Sequence, residues 1–237
     1  MKIVIIGGVA GGATAAARLR RLDEGAEIVM FEKDGFISFA NCGLPYHIGG
    51  EIPDSEALLL QTPETFSARF NVDVRIFSEV TAISPAAKTI TIRPKGDGSF
   101  GRHEPYIETY DKLILAPGAV PLVPPIEGIE SDRVFTVRSI PDVLRIKDWI
   151  AASGKDSPTS CRDAAPHRND GDVGDGARAV PPRTAVIIGG GYIGIEMAEN
   201  LTKAGLAVTI VEAAEHIIAS LDYEMACIVQ NYLRKKA

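Results

Sequence analysis

Cysteine, tryptophan and histidine are scarce: 237 residues hold three cysteines (Cys42, Cys161 and Cys227), one tryptophan and four histidines. Cysteines this few and this scattered exclude a disulfide scaffold, and a reducing cytoplasm is the compartment they fit. His103, His167 and His216 lack ligand-like spacing with cysteine or carboxylate, except for Cys161 and His167 in a polar insert, so no metal is assigned. No apolar run approaches the roughly 18 residues that a membrane span requires. The opening MKIVIIGG runs into glycines and a charged helix rather than a small-residue cleavage site, which makes it a buried strand and not a signal peptide. Basic charge is lacking too. With 25 Lys and Arg against 31 Asp and Glu, the formal charge is -6 and the pI about 5.3. That balance excludes the electrostatic footprint of a nucleic-acid or anionic-membrane binder. No G-x-S-x-G pattern supports a hydrolase.

What is present is a chain 46% hydrophobic and 24% charged, long enough to bury a core. Lys2 to Ile6 reads as a strand buried on both faces of a parallel sheet. Glycines follow it at once, then a helix over Ala13 to Leu22 and a second strand over Glu27 to Glu32, a compact βαβ unit. Val74 to Ile83 and Thr89 to Arg93 alternate like strands, with turn residues at Ser84 to Lys88 and Lys95 to Gly101, which predicts an antiparallel meander near 74–108. Tyr110 to Leu115 is a further buried strand, and prolines at 121, 124 and 125 exclude helix after it. The stretch 153–183, rich in Asp, Gly, Pro and basic residues, reads as a polar flexible insert or linker. Beyond it the opening pattern recurs: a strand over Ala185 to Ile188, a glycine turn, a helix over Ile195 to Ala204 and a strand over Ala207 to Glu212.

The second glycine motif is complete. Gly189, Gly191 and Gly194 satisfy G-x-G-x-x-G, and Glu212 closes the next strand eighteen residues after Gly194. The first glycine permits the tight turn, the second admits a pyrophosphate to the backbone, and the third lets the helix pack on the strand. The helix N-terminus supplies partial positive charge. Glu212 can accept from a ribose 2'-OH and repels a 2'-phosphate, which favours NADH over NADPH. In the first motif, Gly7-Gly8-Val9-Ala10-Gly11-Gly12, Val9 replaces the middle glycine, while Glu32 closes the following strand twenty residues after Gly12. Two such units imply two dinucleotides, a flavin in the first half and a nicotinamide in the second. The expected architecture is therefore α/β, with tandem Rossmann-like FAD- and NAD(P)-binding domains in a three-layer ββα arrangement. Residues 1–152 form the FAD-binding domain and 184–237 the N-terminal part of an incomplete NAD(P)-binding domain. Cys42 lies in ISFANCGLPYHIGG among small and polar neighbours, where a helix beginning near Pro45 would favour its thiolate. From the residues alone, a buried free cysteine remains an equal alternative.

SFANCGLPYHIGG, with IVIIGGVAGGATAAARLRRL, DKLILAPGA and AVIIGGGYIGIEMAE, resembles the single-cysteine branch of the pyridine nucleotide-disulfide oxidoreductases, above all its coenzyme A-disulfide and coenzyme A-persulfide reductases. Glutathione and lipoamide reductases carry a second cysteine five positions after the first; that position is His47 here. The resemblance implies that Cys42 cycles through a mixed disulfide, persulfide or sulfenic acid. It implies Thr14, Arg18, Arg21, Ser38 and Asn41 as coenzyme A contacts, with a solvated helix face as the alternative for the two arginines. It further implies Gly7, Gly8, Ala10, Gly11, Gly12, Glu32, Lys33, Val80, Ala116 and Gly118 at the FAD site. Gly189, Gly191, Tyr192, Ile193, Gly194, Glu196 and Glu212 fall at the NAD(P) site, with Tyr192 covering the flavin until nicotinamide displaces it. Family members continue into a complete second domain and a dimerisation domain, so a C-terminally truncated chain from a homodimeric enzyme is expected. An NADH oxidase or peroxidase, and an inactive FAD-binding fragment, stay open as alternatives.

Overall fold

The protein is described by a computed structural model over residues 1–95, 103–152 and 183–236. The polar insert except Arg183, with Cys161 and His167, lies outside the described residues, as does most of the turn at Lys95 to Gly101. Two compact units are present: Met1–Leu44 with Asp54–Ile140, and Pro45–Pro53 with Pro141–Ala237.

The first unit is organised by strand alternation. A four-stranded parallel sheet has the order β3-β2-β1-β7, from β1 (Lys2–Ile6), β2 (Glu27–Phe31), β3 (Asp73–Arg75) and β7 (Lys112–Leu115). Because successive side chains point to opposite faces, Ile3, Ile5, Ile28, Met30 and Val74 form one core with Ala13 and Ala16 of helix α1 (Ala10–Leu22) and Phe66 of α3 (Pro63–Phe70). Val4, Val29 and Phe31 face the other way, onto Ile90 and Ile92. Those two belong to β5 (Thr89–Pro94), the centre of an antiparallel meander with β4 (Ser78–Ser84) and β6 (Tyr106–Thr109). The result is the three-layer ββα stack, helices on one face of the parallel sheet and meander on the other.

The run Val74 to Ile83 is not one strand. It breaks at Phe77, whose φ of 50° lies in the left-handed region, so that β3 joins the parallel sheet and β4 the meander. Phe77 packs on Gly35, where a Cβ would stand 2.6 Å from its ring. The corner is fixed by that contact.

The second unit contains β8 (Thr184–Ile188) and β9 (Ala207–Val211), paired in parallel, with α4 (Ile140–Ala152), α5 (Tyr192–Lys203) and α6 (Tyr223–Lys236). Met197, Ala198, Leu201, Leu206, Ile218 and Ala226 are buried, whereas Val186, Ile188 and Val211 are 65%, 59% and 52% exposed. One face of this two-stranded sheet is therefore uncovered among the described residues. No described helix is long and apolar enough to cross a membrane.

A charge network ties the two sheets of the first unit together. Glu108 on β6 accepts from Lys2 Nζ at 2.6 Å and Arg75 Nη1 at 2.6 Å, and Arg75 also pairs with Asp73 at 2.7 Å. Burial alone would raise the Glu108 carboxyl, but hydrogen bonds from Lys2 and Arg75 outweigh it and hold the group below its ordinary 4.5. A depressed carboxyl adds stability above the unfolded value, and this is lost as pH falls through the folded one. Glu108→Gln is expected to lower stability at pH 7 by about 1–3 kcal/mol, the range for hydrogen bonds to charged groups. Urea titrations at neutral pH and below pH 4.5 check this; the variant should lose less than the parent between the two conditions.

Candidate functional site

Two strand-to-helix turns repeat one geometry. In the first, Gly7 has φ 98°, and a Cβ there would stand 2.0 Å from the carbonyl oxygen of Ala116. Its N–H donates to Phe31 O at 2.8 Å, while Ala116 N–H donates to Ile6 O at 2.8 Å, so three strands meet at this residue. A Cβ on Gly12 would lie 1.7 Å from Gly7 O, which is why α1 can start against the end of β1. Val9 caps the helix with no side-chain hydrogen bond, and no acidic residue occupies the first turn. The leading N–H groups of α1 are left for an anion.

In the second turn Gly189 has φ 106°, and a Cβ on Gly194 would stand 2.0 Å from Gly189 O. Gly191, the N-cap of α5, is different. Its φ of -75° and ψ of -175° suit any residue, and nothing lies within 4 Å of a Cβ built there. Glycine at 191 leaves open space rather than meeting a folding requirement.

The acids that close the second strand of each half were expected to receive a ribose, and each also serves the turn itself. Glu32, 6% exposed, accepts from Gly8 N–H at 2.8 Å and from Asp34 N–H at 3.1 Å. Glu212 accepts from Gly190 N–H at 2.6 Å and Ala214 N–H at 2.8 Å. The backbone N–H groups of Ala214 and Gly190 hold the Glu212 carboxyl below its ordinary range. A carboxylate has about four acceptor sites, so each acid latches its turn and keeps capacity for ribose hydroxyls. Sequence reasoning missed Gly190 as a member of this arrangement. The signal was the Gly-Gly pair that opens both motifs: a Cβ would stand 2.5 Å from Ile37 Cγ2 at Gly8 and 2.9 Å from Ile217 Cγ2 at Gly190.

The cysteine segment is hung from the first turn. Ser38, with φ 44°, donates its N–H to Gly8 O at 3.0 Å and accepts from Leu60 N–H at 2.9 Å. Ala40 N–H donates to Leu58 O at 2.8 Å, and Phe39 bridges Leu59. Cys42 is exposed in a single 3₁₀ turn, Asn41–Gly43, which leads into the five-residue helix α2 (Leu44–Ile48). The helix thus begins at Leu44, and the cysteine sits in the turn ahead of it. His47 is 2% exposed, with Nδ1 hydrogen-bonded to Ile52 O at 2.7 Å, so its ring serves its own loop. Asn41 Oδ1 is buried without a partner.

Thr14, Arg18 and Arg21 lie along one exposed stripe of α1, at helical spacing. Neither Arg18 nor Arg21 has a polar partner among the described residues. Arg20, between them, is fully engaged by Phe70 O, Asn71 O and Glu24 O at 2.9, 2.7 and 2.7 Å. Ala10, Gly11 and Lys33 are exposed, Val80 is half-buried beside a register shift in β4, and Ala116 and Gly118 follow β7. Gly118 has φ 71°, and a Cβ there would stand 2.9 Å from Arg138 Nη2. In the second unit Tyr192 and Ile193 are 59% and 61% exposed. The Tyr192 hydroxyl accepts from Ser220 Oγ at 3.3 Å, and Glu196 O accepts from Asn200 Nδ2 at 2.8 Å. No group of three His, Cys, Asp or Glu side chains among the described residues is placed to hold a metal.

The sequence profile described as Pyridine nucleotide-disulphide oxidoreductase matches residues 1–237. The chain is 35% identical over 235 residues to the coenzyme A disulfide reductase of Staphylococcus aureus (strain JH9), covering 99% of this chain and 46% of that protein. It is similar to the crystal structure of reduced Bacillus anthracis CoADR-RHD, with TM-score 0.83 and 46% identity, covering 99% of this chain and 36% of the other. The structure of a NAD-dependent persulfide reductase from A. fulgidus gives TM-score 0.81 at 32% identity, covering 100% of this chain and 38% of the other. The chain spans about half the length of the curated relatives it matches.

The contrast between two glycines is directly measurable. Gly194→Ala is expected to destabilise by several kcal/mol, because the new carbon meets backbone rather than a movable side chain. Gly191→Ala should stay within about 0.5 kcal/mol of the parent, or gain slightly, since its backbone angles and space both admit alanine. Paired thermal and urea unfolding curves test the pair.

Proposed function

The chain belongs to the pyridine nucleotide-disulphide oxidoreductase family, and from that membership we propose that it carries the flavin, nicotinamide and thiol sites of an enzyme that reduces coenzyme A disulfide or persulfide. The observation that carries this reading is Cys42: exposed, tethered to the first glycine turn through Ser38 N–H to Gly8 O, and followed at position 47 by a buried histidine rather than a second cysteine. An internal disulfide with a near neighbour in sequence is excluded, and on this reading the thiol exchanges with an external sulfur.

The residues fit the dinucleotides. Gly7 and Gly12 bring the bare start of α1 to the end of β1, and Glu32 keeps acceptor capacity for a ribose; these would hold FAD, along with Gly8, Ala10, Gly11, Lys33, Val80, Ala116 and Gly118. FAD, when bound, supplies the relay of two electrons from reduced nicotinamide to sulfur. The open space at Gly191 and the latched Glu212 would hold the nicotinamide dinucleotide, with Gly189, Tyr192, Ile193, Gly194 and Glu196 around it.

The protein's own chemistry is the thiol's. Cys42 thiolate attacks one sulfur of a coenzyme A disulfide, the S–S bond breaks, and one coenzyme A thiolate leaves while the other half remains bonded to Cys42. Two electrons, ultimately from NADH, then break that bond and restore both thiolates; solvent protons complete the second coenzyme A thiol. Arg18 and Arg21, unpartnered and on the exposed stripe of α1, receive the phosphates of coenzyme A, with Thr14, Ser38 and Asn41 completing the contact. The partner is thus a small phosphorylated thiol, and the full-length enzyme is a homodimer on this reading.

Cys42→Ser in FAD-loaded protein should retain flavin and abolish coenzyme A thiol release by about a thousandfold or more, because a serine hydroxyl is neither a thiolate nor an electron acceptor. Anaerobic thiol release per flavin is the measurement; retention of a tenth of the parental rate removes Cys42 from the mechanism, and oxygen uptake replacing thiol release indicates an oxidase. Arg18→Ala with Arg21→Ala should raise KM for coenzyme A disulfide about tenfold or more while leaving that for an uncharged small disulfide in place. With both cofactors compared in steady state, NADH should exceed NADPH in kcat/KM by about tenfold or more, since a 2'-phosphate meets the ionised Glu212. Gly191→Ala should fold normally and weaken NADH binding.

A further inference from the structure

Both backbone groups of Gly190 are taken by the segment that follows β9. Its N–H donates to Glu212 Oε2 at 2.6 Å, and its carbonyl oxygen accepts from Ile218 N–H at 2.8 Å. Ile217 closes the grip: a Cβ at Gly190 would stand 2.9 Å from its Cγ2, so glycine at 190 lets the turn and the segment touch.

The grip is held at a cost in backbone conformation. Ile218 has φ 48°, in the left-handed region, which a β-branched residue avoids because its side chain crowds the backbone there. Glycine or asparagine would adopt it more readily. Such a conformation persists only where the surroundings over-determine it, and at Ile218 they do. The side chain is 6% exposed, the N–H is spent on Gly190 O, and the carbonyl oxygen accepts from Leu221 N–H at 2.9 Å.

The first half repeats the device with another side chain. Ser38 stands six residues after Glu32, as Ile218 stands six after Glu212, and its φ is 44°. Its N–H donates to Gly8 O at 3.0 Å, and its carbonyl oxygen accepts from Leu60 N–H at 2.9 Å. An isoleucine precedes each, Ile37 against Gly8 as Ile217 is against Gly190. Serine and isoleucine share no side-chain chemistry, so what recurs is the backbone N–H and its direction.

That direction decides where the next amide points. No described peptide bond is cis, and in a trans peptide the C=O and the N–H that follows it point opposite ways. With Gly190 O turned to Ile218, Gly191 N–H is turned away from the segment after β9. It has no hydrogen-bond partner among the described residues, and Gly191 is exposed, with nothing within 4 Å of a Cβ built there. We propose, on the reading of this turn as the nicotinamide site, that Ile218 is a positioning residue for the dinucleotide: by holding Gly190 O it aims Gly191 N–H at the pyrophosphate. The amide is aimed by folding, so binding does not have to turn it.

The test compares Ile218→Gly with Ile218→Pro in the FAD-loaded chain. Both lose the buried side chain, but glycine keeps the N–H and admits φ 48°, whereas proline has no N–H and fixes φ near -65°. Two readouts need no turnover: the dissociation constant for NAD+, which leaves the flavin oxidised, and the ¹H–¹⁵N cross-peak of Gly191 in the dinucleotide-free protein. Ile218→Gly should bind NAD+ within about threefold of the parent and keep the Gly191 cross-peak in place; Ile218→Pro should bind about tenfold or more weaker and shift it, with flavin content equal in both. Parental affinity or an unmoved cross-peak in Ile218→Pro overturns the proposal, and so does an Ile218→Gly as weak as Ile218→Pro, which would make the side chain and not the N–H responsible. Where either variant does not fold, an ester in place of the amide between Ile217 and Ile218, introduced by ligation, removes the N–H and keeps the side chain. NAD+ bound about tenfold weaker by the ester supports positioning, and parental affinity overturns it. A parent that binds no NAD+ overturns the nicotinamide reading instead, and the Gly191 cross-peak still decides whether Ile218 holds the turn.

Discussion

At the end of β1 the carbonyl oxygen of Gly7 stands where the first side-chain carbon of residue 12 would have to be, and at the end of β8 the oxygen of Gly189 does the same to residue 194. This close approach of helix start to strand end is the constraint from which the rest follows. It turns the leading N–H groups of α1 and α5 toward the edge of a parallel sheet, where an anion can reach them. It also sets the neighbouring amides of Gly8 and Gly190 within reach of Glu32 and Glu212, at 2.8 and 2.6 Å. Those carboxylates then tie each turn to the second strand of its half. In the first half the carbonyl of Gly8 carries the constraint one step further, by accepting Ser38 N–H and so fixing the start of the segment that presents Cys42.

Much of this was legible because it is local. Apolar runs bounded by glycines marked β1, β2, β8 and β9, and the spacing from the last glycine to a strand-closing acid marked both halves. What stayed hidden depends on contacts between distant residues. Period-two alternation across Val74 to Ile83 is satisfied equally by one long strand or by two that belong to different sheets; the choice is made at Phe77 by its packing on Gly35. The close approach of Asn200 to Gly49 likewise joins two residues whose types announce nothing about each other.

The arginines of α1 make the same point for the site. Arg18, Arg20 and Arg21 are alike in composition and lie within one turn of each other, yet Arg20 is spent on carbonyls at the end of α3 and in the loop after α1, while the two beside it have no partner among the described residues. Sequence can nominate a basic helix face. Only tertiary structure separates the arginine that holds the fold from the two beside it.

The two halves are not equivalent copies, and the differences bear on what each can hold. Glu32 is 6% exposed and backed by a full three-layer core, and the Val9 side chain occupies the place where the second half has none. Glu212 sits beside Gly191, Tyr192 and Ile193, all exposed, with open space at the glycine. The first turn is backed by the protein's principal core, whereas nothing lies within 4 Å of a Cβ built at Gly191 in the second. The latch in each half prepares the turn before any ligand arrives, so binding does not have to order the loop and the entropic cost of doing so falls on folding instead. A carboxylate that accepts two backbone N–H groups does this and still has acceptor sites to spare. An amide in its place would turn its NH2 toward one of the two backbone donors and lose that hydrogen bond, because each donor goes to a different carboxylate oxygen.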